Sequence, residues 1–308
     1  MSAAARHACH LTMPRLRTRL APAALFALAA LAPAAGAAAD VDVDAAIAAT
    51  YDSNVSRAQL ADDIRADRHL DARGDLTWRL PIGDADDAVQ LALGARGGRF
   101  VRHPRLSYAA ADAEVAYWRK LGLGLMAPWL RVSARASAED YREDTRDSRV
   151  LVLRAETGRR FSERLDASLG YLYDRRYARH DEVLVPGISG AVWDVAGHTG
   201  YVRAAYALTE RWQLDGGYSF RRGDVVSSTH RNLPIFLASD AIGPTDAFGP
   251  DFFDYRLRGT TQVGNAAASY ALGDRASLNV GYAYGFTRAA QGLQYENHIV
   301  TAAWAYRY

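Results

Sequence analysis

The sequence predicts an all-β protein whose antiparallel strands, about twelve of them with ten or fourteen left open, close into a barrel. Three observations carry this. After residue 39 the chain alternates apolar and polar residues in repeated segments of about ten, the period of a strand rather than of a helix. Short polar turns take turns with long connections along the chain. The last segment keeps the period of two to the carboxyl terminus, where an open sheet would expose a bare edge and a closed one would not.

The first 39 residues stand apart. Arg15, Arg17 and Arg19 precede an apolar run from Leu20 to Leu31 and then the small residues Ala34-Ala35-Gly36-Ala37-Ala38-Ala39. A basic start, a short apolar run and an A-x-A site predict a cleaved export signal over residues 1–39, with the barrel as a single domain over 40–308. The run is too short to span a bilayer comfortably. Cleavage after Ala37 and a start at Met13 are alternatives.

Cys9, the one cysteine, falls in this leader and is followed by more leader, so it is not a lipid anchor. The expected mature chain has no disulfide and needs another means of support. Removing Arg6, Arg15, Arg17 and Arg19 from the 37 basic residues leaves 33 against 35 acidic ones, a net charge of −2. No nucleic-acid partner is expected from that balance.

The elements follow in order. Val43, Ala45, Ile47, Ala49 and Tyr51 share one face of the first strand, which Asp52-Ser53-Asn54 ends. In the second, Leu70, Ala72, Gly74, Leu76, Trp78 and Leu80 alternate with Asp71, Arg73, Asp75, Thr77 and Arg79. So many charges on one strand face suit a watery lumen, not a soluble core. The third carries Val89, Leu91, Leu93 and Ala95, and the fourth Ala111, Ala113, Val115 and Tyr117 opposite Asp112 and Glu114. Leu130 to Glu139 and Leu151 to Gly158 alternate in the same way.

Three connections resemble one another: Arg160 to Leu165, Ala207 to Trp212 and Ala271 to Ala276. Each contains a short polar turn with an acid followed by Arg. Alternating strands follow them, with Gly170-Tyr171, Gly217-Tyr218 and Gly281-Tyr282 at matching positions. The segment between Tyr255 and Leu272 loses its alternation near Gln262-Val263, which predicts a bulge. Trp78, Tyr117, Trp118, Trp129, Tyr206, Trp212, Tyr270 and Trp304 lie near strand ends, as interfacial girdles require. In the closing strand Val300, Ala302, Trp304, Tyr306 and Tyr308 form the apolar face.

That ending resembles the closing strand of Gram-negative outer-membrane β-barrels. The resemblance implies residence in the bacterial outer membrane, contact with its lipid, and recognition of the last strand by the barrel-insertion machinery. The phrase Tyr51-Asp52-Ser53-Asn54-Val55-Ser56-Arg57-Ala58 is similar to the first-strand phrase of several porin-like barrels, including the barrel of surface lipoprotein assembly modifiers. It covers about eight residues and supports a barrel start only.

With the apolar faces outward, the inward set comprises Asp71, Arg73, Asp75, Arg79, Arg96, Asp112, Glu114, Arg131, Arg135, Glu139, Arg154, Glu156, Asp166, Asp174, Arg203, Asp215, Arg221 and Arg307. These are the candidate lumen-lining residues. Their signs nearly balance, which predicts either a narrow channel for small hydrophilic solutes or a lumen closed by its own ion pairs. Small channels for acidic sugars resemble this chain in their arginine-rich lumens but carry fewer opposing acids. The expected function is therefore porin-like passage. A non-conducting structural or surface-interaction barrel is the alternative, and a lipid-modifying or proteolytic enzyme the third.

No catalytic residue, cofactor or metal ligand is assigned. His69, His103, His180, His198, His230 and His298 are scattered, and His180-Asp181-Glu182 on a loop reads as a solvated cluster. The segment from Ser228 to Phe253 is too apolar to be only a solvated loop. It is expected to fold into the mouth, cap the rim or pack on its neighbours. The oligomeric state is left open.

Overall fold

The computed structural model describes residues 40–82 and 87–308; the expected leader, residues 1–39, lies outside them. The described strands are β1 (Asp40–Asp52), β2 (Asp67–Pro81), β3 (Asp87–Phe100), β4 (Tyr108–Lys120), β5 (Trp129–Tyr141), β6 (Ser148–Arg160) and β7 (Leu165–Ala178). They continue with β8 (Ala196–Ala207), β9 (Trp212–His230), β10 (Ala241–Pro244), β11 (Phe252–Ala271), β12 (Ala276–Ala289) and β13 (Gln294–Arg307). One short helix, α1 (Leu233–Ala238), precedes β10.

Twelve strands form a closed antiparallel barrel, and β10 adds to β11 outside that ring. Closure is made by β1 and β13, with Ile47 opposite Trp304 and Ala45 opposite Tyr306. Two backbone bonds between Val43 and Tyr308 finish the ladder. Pairing of first strand with last leaves every barrel strand with two neighbours, so no long edge stays bare.

The alternation sorts the side chains. Leu91, Val115, Val132, Leu153, Leu169, Val202, Leu214, Val280 and Val300 are exposed on the outward face. The other set points inward, where charged groups meet across strands that are not neighbours. Arg96 of β3 reaches Glu139 of β5 at 2.6 Å, and Arg221 of β9 reaches Asp174 of β7 at 2.8 Å. Side chains converge only on the concave side of a closed sheet, so such strand-skipping pairs mark the lumen.

The three related turns share one geometry. Phe161, Leu208 and Leu272 each donate a backbone N–H to the carbonyl of Leu165, Trp212 and Ala276 respectively. In two of them a hydroxyl, from Ser162 or Thr209, accepts from the backbone amides two and three residues further on. Short polar turns with an early Ser or Thr therefore close one end of the barrel; this is the turn end. The longest connections, residues 53–66, 179–195 and 231–251, lie at the other, the loop end.

Two expectations are corrected. Trp118 and Trp129 do not join an outward girdle. Trp118 faces inward on the parity of Glu114, with the Arg79 guanidinium 5.0 Å from its ring. Trp129 faces inward opposite Gly158, whose missing side chain makes room for the indole. Aromatics favour strands whichever face they occupy, so position near a strand end did not fix direction. There is also no bulge in β11. Its register with β9 is unbroken from Phe252–His230 to Tyr270–Trp212. Gln262 faces outward and accepts a hydrogen bond from the Tyr218 hydroxyl at 2.9 Å, so a polar residue sits on the apolar face without a slip.

The strands β9 and β11, 19 and 20 residues long, exceed the 9–11 that a tilted strand needs to cross a bilayer. The surplus rises beyond the rim and folds inward. Val225, Ser227, Ser228, Thr229, Phe252, Asp254, Tyr255 and Leu257 are all buried, which includes both faces of the hairpin. Helix α1 forms where Asn232 accepts from the Ile235 amide and Pro234 occupies the first turn. Chain reversal into β11 uses Gly249 and Asp251 at φ 113° and 62°.

Two apolar clusters result. Val225, Ile235, Ile242, Tyr255, Leu257 and Leu293 form one. Leu106, Ala247, Phe248 and Phe252 form the other, with Val55 and Phe100 against it. Leu106 lies between β3 and β4, and Phe248 between β9 and β11. Six barrel strands separate these connections in either direction. The apolar segment thus crosses the mouth to the opposite wall, the first of the three placements expected for it.

Candidate functional site: the lumen wall and its mouth

Each strand from β2 to β9 sends an ionisable side chain inward because charges occupy alternate positions there, and the pleat turns all of them the same way. Closure then brings opposite signs together. Glu114 of β4 accepts from Arg131 and from Arg135 of β5, the latter at 2.8 Å, and Arg135 also lies 3.7 Å from Asp112. Glu139 holds Arg96 at 2.6 Å and Arg176 at 3.4 Å. Glu156 accepts from Ser168 at 3.0 Å and lies 3.9 Å from Arg203. Arg73 pairs with Asp75, Arg160 with Asp166 at 3.2 Å, and Arg307 with Asp44 at 2.7 Å.

Some of the expected residues have other company. Arg79 lies over Trp118. Asp215 accepts from Gln213 at 2.7 Å and has no cation in contact among the described residues. Arg154 leaves its Nε without a hydrogen-bond partner among the described residues. Asp71 meets His69 at 3.1 Å and the Tyr108 hydroxyl at 3.3 Å. Sequence reading missed Asp44, His69, Tyr108, Arg160, Arg176 and Tyr201. The signal was present: Arg176 keeps the parity of Asp174 two residues on.

The wall from β11 through β12 and β13 to β1 differs. Its inward positions include Asn265, Ala267, Asn279, Gly281, Ala283, Thr301, Ala303, Ala46 and Ala48. The polar contacts there are between small groups, Thr50 with Thr301 at 3.3 Å and Thr261 with Thr287 at 2.9 Å. Apart from the Asp44–Arg307 pair at its turn end, this wall therefore sets alanine, glycine and hydroxyls against the long ionic side chains of the other.

At the mouth the same residue types are buried. Asp254 accepts from Ser228 Oγ at 2.5 Å, Trp193 Nε1 at 3.0 Å and Arg146 Nη2 at 3.3 Å. The Arg146 guanidinium lies 4.3 Å from the Trp193 ring and 5.6 Å from that of Phe248. Burial pushes the Asp254 carboxyl above its usual range, against the pull of Arg146, Ser228 and Trp193. Glu143 is also pushed up by burial. Asp63, in the β1–β2 connection, accepts from Thr229 and His230. Burial alone would raise it, but those hydrogen bonds and the charge of His230 hold it below the ordinary carboxylate value. Ser228 N–H and Ser227 Oγ donate to the carbonyls of Ser56 and Arg57, both at 2.8 Å. The crossing segment is thus latched on its near side and packed on its far side.

No family model matches the chain, and no curated protein matches it by sequence. Its barrel is similar to the crystal structure of an outer-membrane channel from Pseudomonas putida F1, with a TM-score of 0.53 at 12% identity, covering 89% of this chain and 97% of that one. The NanC porin gives a TM-score of 0.46 at 7% identity, covering 87% and 99%. Likeness at such identity speaks for the fold alone. The chain has the fold of an outer-membrane β-barrel.

Proposed function

We propose that the protein is a porin-like outer-membrane barrel giving narrow passage to small hydrophilic solutes. In this reading residues 1–39 are the cleaved export signal, and the Val300–Tyr308 ladder of aromatic and apolar residues is what the insertion machinery reads. The observation that carries the reading is the wetness of the lumen. Arg73 and Arg203 point inward, yet their side chains are 61% and 57% exposed. A lumen filled by paired side chains would bury them. Twelve strands stand between the roughly eight that pack solid and the 16–18 that leave an open channel. The small-residue wall supplies the remaining cross-section, and balanced ion pairs on the other wall favour small polar solutes over strongly charged ones.

The mouth-crossing segment favours a second reading, a closed barrel whose loops serve a surface role. Single-channel recording in a planar bilayer separates the two, with heat-modifiable gel mobility as the folding control. Passage predicts steady currents that grow several-fold when residues 233–250 are replaced by a short glycine-serine link, because the segment restricts the mouth. Ala303→Trp, placed on the small-residue wall between Ala48 and Asn279, should cut the current sharply. A folded barrel silent both with and without the segment would sink the channel reading.

A further inference from the structure

The two rims of the outward face differ in charge. Near the loop end Arg68, Arg99, Arg149, Arg222 and Arg288 all lie on the parity of the outward apolar residues, and all are exposed. None is in ion-pair contact with a carboxylate among the described residues. Near the turn end the outward strand arginines are Arg119, 3.6 Å from Asp87, and Arg159. The turn arginines Arg164, Arg211 and Arg275 each follow an acid directly in the chain. Asp140 and Glu296 also lie on the outward parity near the loop end, Glu296 accepting from the Tyr284 hydroxyl at 2.6 Å, so positive charge is in excess at this rim.

Register concentrates it further. One hydrogen-bonded row runs outward-facing through Tyr173, His198, Arg222, Thr260 and Arg288. Partners in such a row are about 5 Å apart, so Arg222 adjoins His198, and Arg288 stands about 10 Å from Arg222 with Thr260 between them. The Tyr171 hydroxyl meets His198 Nδ1 at 2.5 Å, and the Tyr173 ring is 5.1 Å from the imidazole. Arg288 lies over the Phe286 ring at 5.1 Å. A strand of about eleven residues crosses a bilayer. Counted from Trp212, it ends at Arg222, which puts the row at the headgroup level of the outer leaflet.

Guanidinium groups at that depth extend into the headgroups and match phosphate oxygens with paired N–H donors. We propose that this row binds the phosphate groups of a phosphorylated outer-leaflet lipid, with Arg222 and Arg288 as the phosphate ligands and the Tyr171–His198 pair as flanking polar contacts. The inference rests on the proposed outer-membrane location and does not depend on conduction.

The test is native mass spectrometry of the folded barrel in detergent, with diphosphorylated lipid A, the same lipid after phosphatase treatment, and inorganic phosphate as probes. Lipid A is expected to bind, with at least about tenfold lower affinity after dephosphorylation and about tenfold loss for each arginine removed in Arg222→Ala and Arg288→Ala. Arg159→Ala at the other rim should bind like the wild type. Equal binding by the double variant, or indifference to phosphatase treatment, overturns the proposal. Inorganic phosphate that binds as well as the lipid overturns the lipid as its source. If the double variant fails the heat-modifiability control, Arg222→Gln and Arg288→Gln singly carry the same expectation. A wild-type barrel that does not insert into lipid vesicles would instead defeat the membrane location itself.

Discussion

The lumen and the mouth use the same chemistry, arginine against carboxylate, under opposite conditions. In the lumen Arg73 pairs with Asp75 while its side chain stays 61% exposed. At the mouth Arg146 and Asp254 are 9% and 1% exposed. A solvated pair contributes little to stability and chiefly sets the local field. A desolvated pair is expensive to assemble, and removing one partner strands the other charge. In the proposed channel the lumen pairs concern what passes, and the mouth pair concerns which conformation the crossing segment adopts.

The largest effect is expected where burial is deepest. Asp254→Ala leaves Arg146 buried without its acid and should destabilise the mouth by about 3–5 kcal/mol. Limited proteolysis between residues 231 and 251 would show faster cleavage while the barrel keeps its heat-modifiable mobility. Unchanged cleavage would mean that apolar packing by Phe248 and Phe252 holds the segment alone, and the contrast would fail.

Glu114→Gln should rank next. Glu114 is buried and serves both Arg131 and Arg135, so losing its charge weakens two charge-assisted bonds, an effect of about 1–3 kcal/mol on unfolding in denaturant. It also leaves two cations in the lumen, and reversal-potential measurements should move toward anions.

Arg73→Ala should cost about 1 kcal/mol, because Arg73 itself is solvated although Asp75, 12% exposed, loses its cation. Its signature is a shift in reversal potential toward cations with only a small shift in the unfolding midpoint. A stability loss as large as that of Asp254→Ala would erase the distinction between wet and dry pairs.

Acidification gives the subtlest test. Asp63 is held below its ordinary value of 3.8, so its contribution is present above that value and is lost as pH falls through its lower folded pKa. Asp254 and Glu143 are raised, so the burial cost of their charged forms is relieved as pH falls through their raised values. The mouth should tighten slightly in mild acid and loosen below pH 3.8. Trp193, whose indole donates to Asp254, reports the change by its fluorescence. His230→Ala should move the loosening to higher pH, because it removes much of what lowers Asp63.

The repeat of apolar and polar residues was enough to predict a barrel, its approximate strand number and the inward parity of Arg131, Arg135 and Glu114. Side-chain direction in a strand is a local property of the pleat, so it can be read from neighbours in the chain. Direction near strand ends was legible by the same rule: Trp118 keeps the parity of Glu114 and Trp129 that of Arg131, so the pleat turns both inward, and Gly158 leaves room for the Trp129 indole. The bulge expected at Gln262 failed for a different reason: its partner, the Tyr218 hydroxyl, lies on another strand and does not show in the local pattern.

The sequence by itself thus determined the strands, the short turns, the two-faced wall and a last strand that closes the sheet, because each follows from periodicity and from the cost of a bare edge. The tertiary structure alone decided which arginine meets which acid, that Phe248 reaches Leu106 across the mouth, and that Arg222 and Arg288 share a row on the outer face. Those contacts join residues far apart in the chain. They are set by barrel closure and strand stagger, which bring distant positions to one level and which no local pattern of residues encodes.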